Sequence, residues 1–114
     1  MKIVTSGLLL AAALVLAAGG GGPARAACFE SGVGCTDHHR ISRSALNGLS
    51  CDALWTVRNT IYDERGYCFR TERALAVFSN DDCHVTNAAR LGFNSYERAN
   101  IDRIVAVERT KGCR

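Results

Sequence analysis

Apolar residues recur at helical spacing in three stretches of the second half of the chain. Between Ser50 and Gly66, the positions Leu54, Trp55, Arg58, Ile61 and Tyr62 fall on one face of a helix. Ser50 is a suitable N-cap, Asp52 sits in the first turn where the helix dipole favours an acid, and Gly66 supplies the stop. Thr71 can cap a second, short helix reaching about Ser79, with Ala74, Leu75 and Phe78 turned inward and Asn80-Asp81-Asp82 as the turn that ends it. Ser95 caps a third helix running to about Lys111, where Ile101, Ile104, Val105 and Glu108 share a face and Gly112 stops it. No stretch alternates apolar and polar residues long enough to predict a strand. The pattern predicts an all-α fold: a small disulfide-stapled domain of about three helices with an irregular N-terminal arm.

The first 26 residues differ from this pattern and have the three parts of a secretory signal peptide. A positive end at Met1-Lys2 precedes an apolar run from Leu8 to Ala18 and a small-residue site at Ala24-Arg25-Ala26, with cleavage expected after Ala26. The apolar run is shorter than the roughly 20 residues that span a bilayer, so no membrane span is expected once the signal is removed. Cleavage before Cys28 would mark a lipoprotein, but that frame puts the charged Arg25 at the third position back. The chain divides into a signal at 1–26, an arm at 27–48 punctuated by Gly32, Gly34 and Gly48, and a helical domain at 49–114.

Removing the signal changes what the composition means. The formal charge of +3 on the 114-residue chain falls to about +1 without Lys2 and Arg25. Such a balance gives no clustered positive field for nucleic acid.

All 6 cysteines lie beyond the signal, at positions 28, 35, 51, 68, 83 and 113. An even count in a small exported domain reads as a disulfide framework, offsetting a modest core. Fifteen pairings are formally possible. Cys28 with Cys35 as a local clip, Cys68 with Cys83 across the second helix, and Cys51 with Cys113 are favoured. The last pair follows if the first and third helices pack antiparallel. Zinc held by cysteines with His38, His39 or His84 is the weaker reading, because no Cys-x-x-Cys occurs. No cofactor is expected.

From Leu49 onward the residues Leu54, Arg58-Asn59, Ile61, Tyr62-Asp63-Glu64-Arg65-Gly66, Tyr67, Phe69 and Val77-Phe78 form a recognisable series. It resembles the YARHG domain family of bacterial modules, whose pattern has Arg-Asn, a hydrophobic residue, Tyr-Ala-Arg-His-Gly, an aromatic residue and Phe. Of the five eponymous residues, Tyr62 and Gly66 are kept. The family's later Trp-Tyr is replaced by Ser79-Asn80-Asp81-Asp82-Cys83, which marks a divergent, cysteine-rich branch. The resemblance implies a place outside the cytoplasm and carries no activity; such domains occur beside peptidase domains and in lipoproteins.

The expected function is therefore a non-catalytic binding or inhibitory module, periplasmic or secreted. Its partner would be an envelope or extracellular protein or a cell-wall component. A structural or accessory domain without its own ligand is the alternative, and a small hydrolase a more distant one. Cysteines committed to bridges cannot attack a substrate, and Ser42 and Ser44 lie in no nucleophile-elbow pattern. Trp55 reads as core, with ligand stacking as the competing role. Arg58 and Glu108, lone charges on facing stripes, are expected to pair. Arg65, Tyr67 and Phe69 around Gly66 are the expected binding residues, because Tyr67-Cys68-Phe69 in extended form would put both rings opposite the bridged cysteine; the competing reading is that both rings cap the small core and the bridge lies outside.

Overall fold

The computed structural model describes residues 28–29 and 33–114, so the expected signal peptide lies outside the described residues. Cys28–Phe29 (β1) and Gly34–Cys35 (β2) pair antiparallel, with Cys28 opposite Cys35. Four α-helices follow among the described residues: α1, Arg43–Asn47; α2, Cys51–Glu64; α3, Glu72–Leu75; and α4, Ser95–Lys111. A 3-10 turn at Ala88–Arg90 precedes α4. The fold is mostly helical, with a small two-stranded pairing, and not purely all-α.

The two long helices form as their sequences dictate. Ser50 Oγ accepts from the Ala53 N–H and starts α2, and the backbone turns over at Gly66. At α4 the cap is Asn94 rather than Ser95. The Asn94 side chain accepts from the Glu97 N–H, and the Glu97 carboxylate accepts from the Asn94 N–H. This reciprocal box satisfies two donors that a helix start otherwise leaves open.

The helices α2 and α4 pack antiparallel: Cys51 is bridged to Cys113, Arg58 meets Glu108, and Arg65 meets Glu97. Leu54, Val57 and Ile61 of α2 and Ile104 and Val107 of α4 are buried between them. The face of α4 thus differs from the expected one. Its buried line is Glu97, Asn100, Ile104 and Val107, while Ile101, Val105 and Glu108 are half-buried beside it.

The arm corrects the expectation of irregularity, because Val33, Ile41 and Leu46 belong to the same core. Ser42 Oγ accepts from the Ala45 N–H and starts α1. The completely buried Asn100 fastens this segment to α4. Its Oδ1 accepts from the Ile41 N–H at 2.9 Å, and its Nδ2 donates to the carbonyls of Thr36 and His39 at 3.0 and 2.8 Å.

The second helix is also shorter than expected. Thr71 caps it, but α3 ends at Leu75, which is 48% exposed instead of turned inward. Asn80 explains the early end: its side chain accepts from the Phe69 N–H and donates to the Phe69 carbonyl, pulling the chain back after a single turn. The bridge from Cys68 to Cys83 fastens the same loop, and that from Cys28 to Cys35 closes the arm. All three bridges join the pairs favoured by spacing and antiparallel packing. The one from Cys51 to Cys113 spans 62 residues and restricts the unfolded chain most.

Gly66 is the pivot between α2 and this loop. Its φ is +85°, and its carbonyl accepts from the N–H groups of both His84 and Val85. A Cβ at this position would lie 2.2 Å from His84 Cε1. Left-handed backbone costs a residue with a Cβ about 1–2 kcal/mol, and here the imidazole must move as well. Gly66→Ala is therefore expected to lower stability by about 2–3 kcal/mol in denaturant unfolding. In a His84→Ala background only the backbone cost should remain. Equal losses in the two backgrounds would show that the imidazole is not pressed against the pivot.

Candidate functional site

Six aromatic rings wrap the flank of α2 that faces the loop. Phe93 meets Tyr62 at 5.2 Å between centroids, Tyr62 meets Tyr67 at 5.6 Å, and Tyr67 meets Phe69 at 5.1 Å, all edge to face. Phe69 stacks on Phe78 at 4.9 Å, and Phe78 reaches Trp55 at 6.0 Å. The Arg73 guanidinium lies 4.0 Å over the Trp55 ring while donating to Asp52. Trp55 is thus a half-buried end of a stack, with one face taken by a cation.

Between α2 and residues 67–74 this flank opens into a groove of about 360 Å³. Its walls are Trp55, Arg58, Asn59 and Tyr62 from the helix, and Tyr67, Phe69, Arg70, Thr71 and Ala74 from the loop. Helical spacing sets the first wall, since residues 55, 58, 59 and 62 share one face. The Gly66 turn and the cap of α3 set the second.

The expected pair of Arg58 and Glu108 is present. Nε donates to Oε1 at 2.7 Å and Nη2 to Oε2 at 3.0 Å, with the side chains 25% and 13% exposed. This fork holds the guanidinium at the groove wall. Asn59 Nδ2 donates to the Trp55 carbonyl, which fixes the amide there.

The expected binding trio divides. Tyr67 and Phe69 do lie on one side of their extended segment, but that side faces inward. Phe69 is buried between Tyr67 and Phe78, and Tyr67 is half-buried, so the rings close the core and line the groove rather than stand in solvent. Tyr62 of α2 and Phe78 beyond α3 draw them in.

Arg65 does not join them. Its Nη2 donates to Glu97 Oε1 at 2.6 Å and its Nε to both carboxylate oxygens, and this hydrogen bond raises the guanidinium pKa further above its ordinary value. Its role is structural. Sequence reasoning missed Arg70 as a groove residue; nothing in periodicity distinguishes it from any other exposed loop charge.

Two further clusters lie outside the groove. On the other side of the loop, a cleft of about 250 Å³ is walled by Asp63, Glu64, Ser79 and Asp82, and burial pushes the Asp63 carboxyl up from its usual range. In the arm, Cys35, His38 and His39 place ligand atoms within 4.8 Å of one another. The Cys35 sulfur is spent in its bridge to Cys28, however, and His39 Nδ1 accepts from the Cys35 N–H, so neither presents a free ligand there.

Among the described residues, no helix is long and apolar enough to cross a membrane. Searches of curated proteins and of solved structures found no match. The family model of the YARHG domain matches residues 33–109. That span begins at the arm residue that enters the core and includes every wall residue of the groove. By this match over more than half of its length, the chain belongs to the YARHG domain family.

Proposed function

We propose that the protein is an exported, non-catalytic binding module, which holds an envelope or extracellular partner or a cell-wall component in the groove between α2 and residues 67–74. The observation that carries this reading is the convergence of the motif residues. Arg58, Asn59, Tyr62, Tyr67 and Phe69 come together as the walls of one open groove rather than scattering through the core. Three disulfides and membership of this family suit an oxidising compartment outside the cytoplasm.

The groove walls suit binding better than catalysis. Among the described residues they hold no carboxylate, imidazole or thiol, and the Thr71 hydroxyl is engaged as acceptor of the Ala74 N–H. Half-buried aromatic faces beside arginine are the residue types that anchor partners.

The test uses the oxidised protein as bait for envelope extracts, beside the double variant Asn59→Ala, Arg70→Ser. Both positions lie at the wall and outside the buried core, so the fold should persist by circular dichroism. Capture of a specific partner should fall by about tenfold or more in the variant, the loss of a modest hot spot. Equal capture by both would place the partner elsewhere. A bait that captures nothing specific would favour an accessory domain without its own ligand.

A further inference from the structure

Resting on the reading of the groove as a binding site, we infer that its ligand is an acidic sugar unit, a pyranose ring carrying a carboxylate. The groove holds about 360 Å³, near the low end of the roughly 300–1,000 Å³ typical of small-molecule sites. That space admits one compact ring or the end of a polymer, and a partner helix about 10 Å across does not fit.

Its charge is one-sided. Among the described residues, Arg58 and Arg70 are in the wall and no acidic side chain is; with Arg58 balanced by Glu108 behind the wall, the uncompensated positive charge is that of Arg70. Arg70 is exposed and has no ion pair or hydrogen bond among the described residues. Arg58 spends Nε and Nη2 on Glu108, which leaves Nη1 able to donate while the fork keeps the guanidinium in place. A planar guanidinium matches a carboxylate in shape as well as charge.

The remaining chemistry suits a sugar ring. The rings of Trp55, Tyr62 and Tyr67 are half-buried in the wall; Tyr62 and Tyr67 meet edge to face and form no common plane, but a single ring face suffices to take the C–H face of a pyranose. The Tyr62 and Tyr67 hydroxyls have no hydrogen-bond partner among the described residues, and Asn59 Oδ1 is likewise open, so donors and acceptors stand ready for ring hydroxyls. The opposite cleft has the reverse character, with Asp63, Glu64 and Asp82 in its wall, and an anion there would be repelled.

The test is a titration of the oxidised protein, followed by amide NMR, with a galacturonate trimer, a neutral galactose trimer and galactose 1-phosphate. The galacturonate trimer should shift the amides of Asn59, Tyr67, Arg70 and Thr71. The neutral trimer should bind about tenfold or more weaker, and Arg70→Gln should weaken the acidic trimer by a similar factor, as loss of one charge-assisted contact implies. Sugar phosphate should bind no better than the carboxylate sugar. Equal affinity for neutral and acidic trimers overturns the inference, as does tighter binding of the phosphate, shifts confined to residues outside the groove, or no shift with any of the three. In each of these cases the binding role of the groove stands or falls separately, on capture of a partner by the parent and its loss in the Asn59→Ala, Arg70→Ser variant.

Discussion

Replacing Arg65 by alanine is expected to lower stability by about 3 kcal/mol, which in a domain of this size is a fall of roughly 12–24 °C in Tm. The Glu97 carboxylate is 3% exposed and takes the Arg65 guanidinium as its counter-charge. It also accepts from the Asn94 N–H, and Asn94 in turn donates to the Asp37 carbonyl in the arm. A charge at the end of α2 thus holds the cap of α4, which holds the arm. Without Arg65 the carboxylate remains buried with only a backbone N–H to balance it. The figure is placed at the low end of the range for breaking buried pairs because the arginine is 36% exposed and water can partly replace it. Arg65→Lys keeps the charge and loses the two-pronged fit, so it should fall between parent and alanine. An alanine variant melting within two or three degrees of the parent would mean that Glu97 needs no counter-charge.

Asn100→Ala should cost as much by a different route, about 3–5 kcal/mol. Three backbone groups lose their side-chain partner at once, the N–H of Ile41 and the carbonyls of Thr36 and His39, at about 1–3 kcal/mol for each that stays buried and unmet. The sum is held below the maximum because a cavity this polar admits water. A local signature accompanies the loss: the Ile41 amide should exchange with solvent far faster, while amides in the middle of α2 follow global stability alone. Asn100→Asp keeps the acceptor for Ile41 and removes both donors, so it should not rescue. Unchanged protection at Ile41 in the alanine variant would show that the arm is held by its apolar contacts and not by this amide.

What the sequence made legible follows from which signals are local. The helix α2 is capped and striped by nearby residues, so its limits can be read directly, and antiparallel packing of two long helices then joins Cys51 to Cys113 and Arg58 to Glu108. The helix α1 has five residues and hence no period to detect, and the arm's contribution to the core comes from Leu46 of α1 and from Ile41 just before it, meeting helices far along the chain. Glu97 and Asn100 are invisible to any apolar count, although both are fully buried. The Asn94-x-x-Glu97 spacing marks Glu97 as a capping residue, but its counter-charge Arg65 lies 32 residues away and a carbonyl partner of Asn100 lies 64 away, so no local spacing announces their burial. The same blindness made Arg65 look like a surface charge at a turn. At the groove, the motif identified Arg58, Asn59, Tyr62, Tyr67 and Phe69, while the direction in which the rings point depended on Phe78 and Phe93, which only the fold brings alongside.

If this groove is the surface that meets a partner, a hydrogen-exchange footprint shows it most directly. The oxidised protein is compared alone and saturated with the partner captured from envelope extracts. Exchange should slow in two separate stretches, residues 55–62 of α2 and 67–74 of the loop, with the C-terminal turn of α4 unchanged. Slowing confined to the arm or to the end of α4, with both groove stretches untouched, would contradict it.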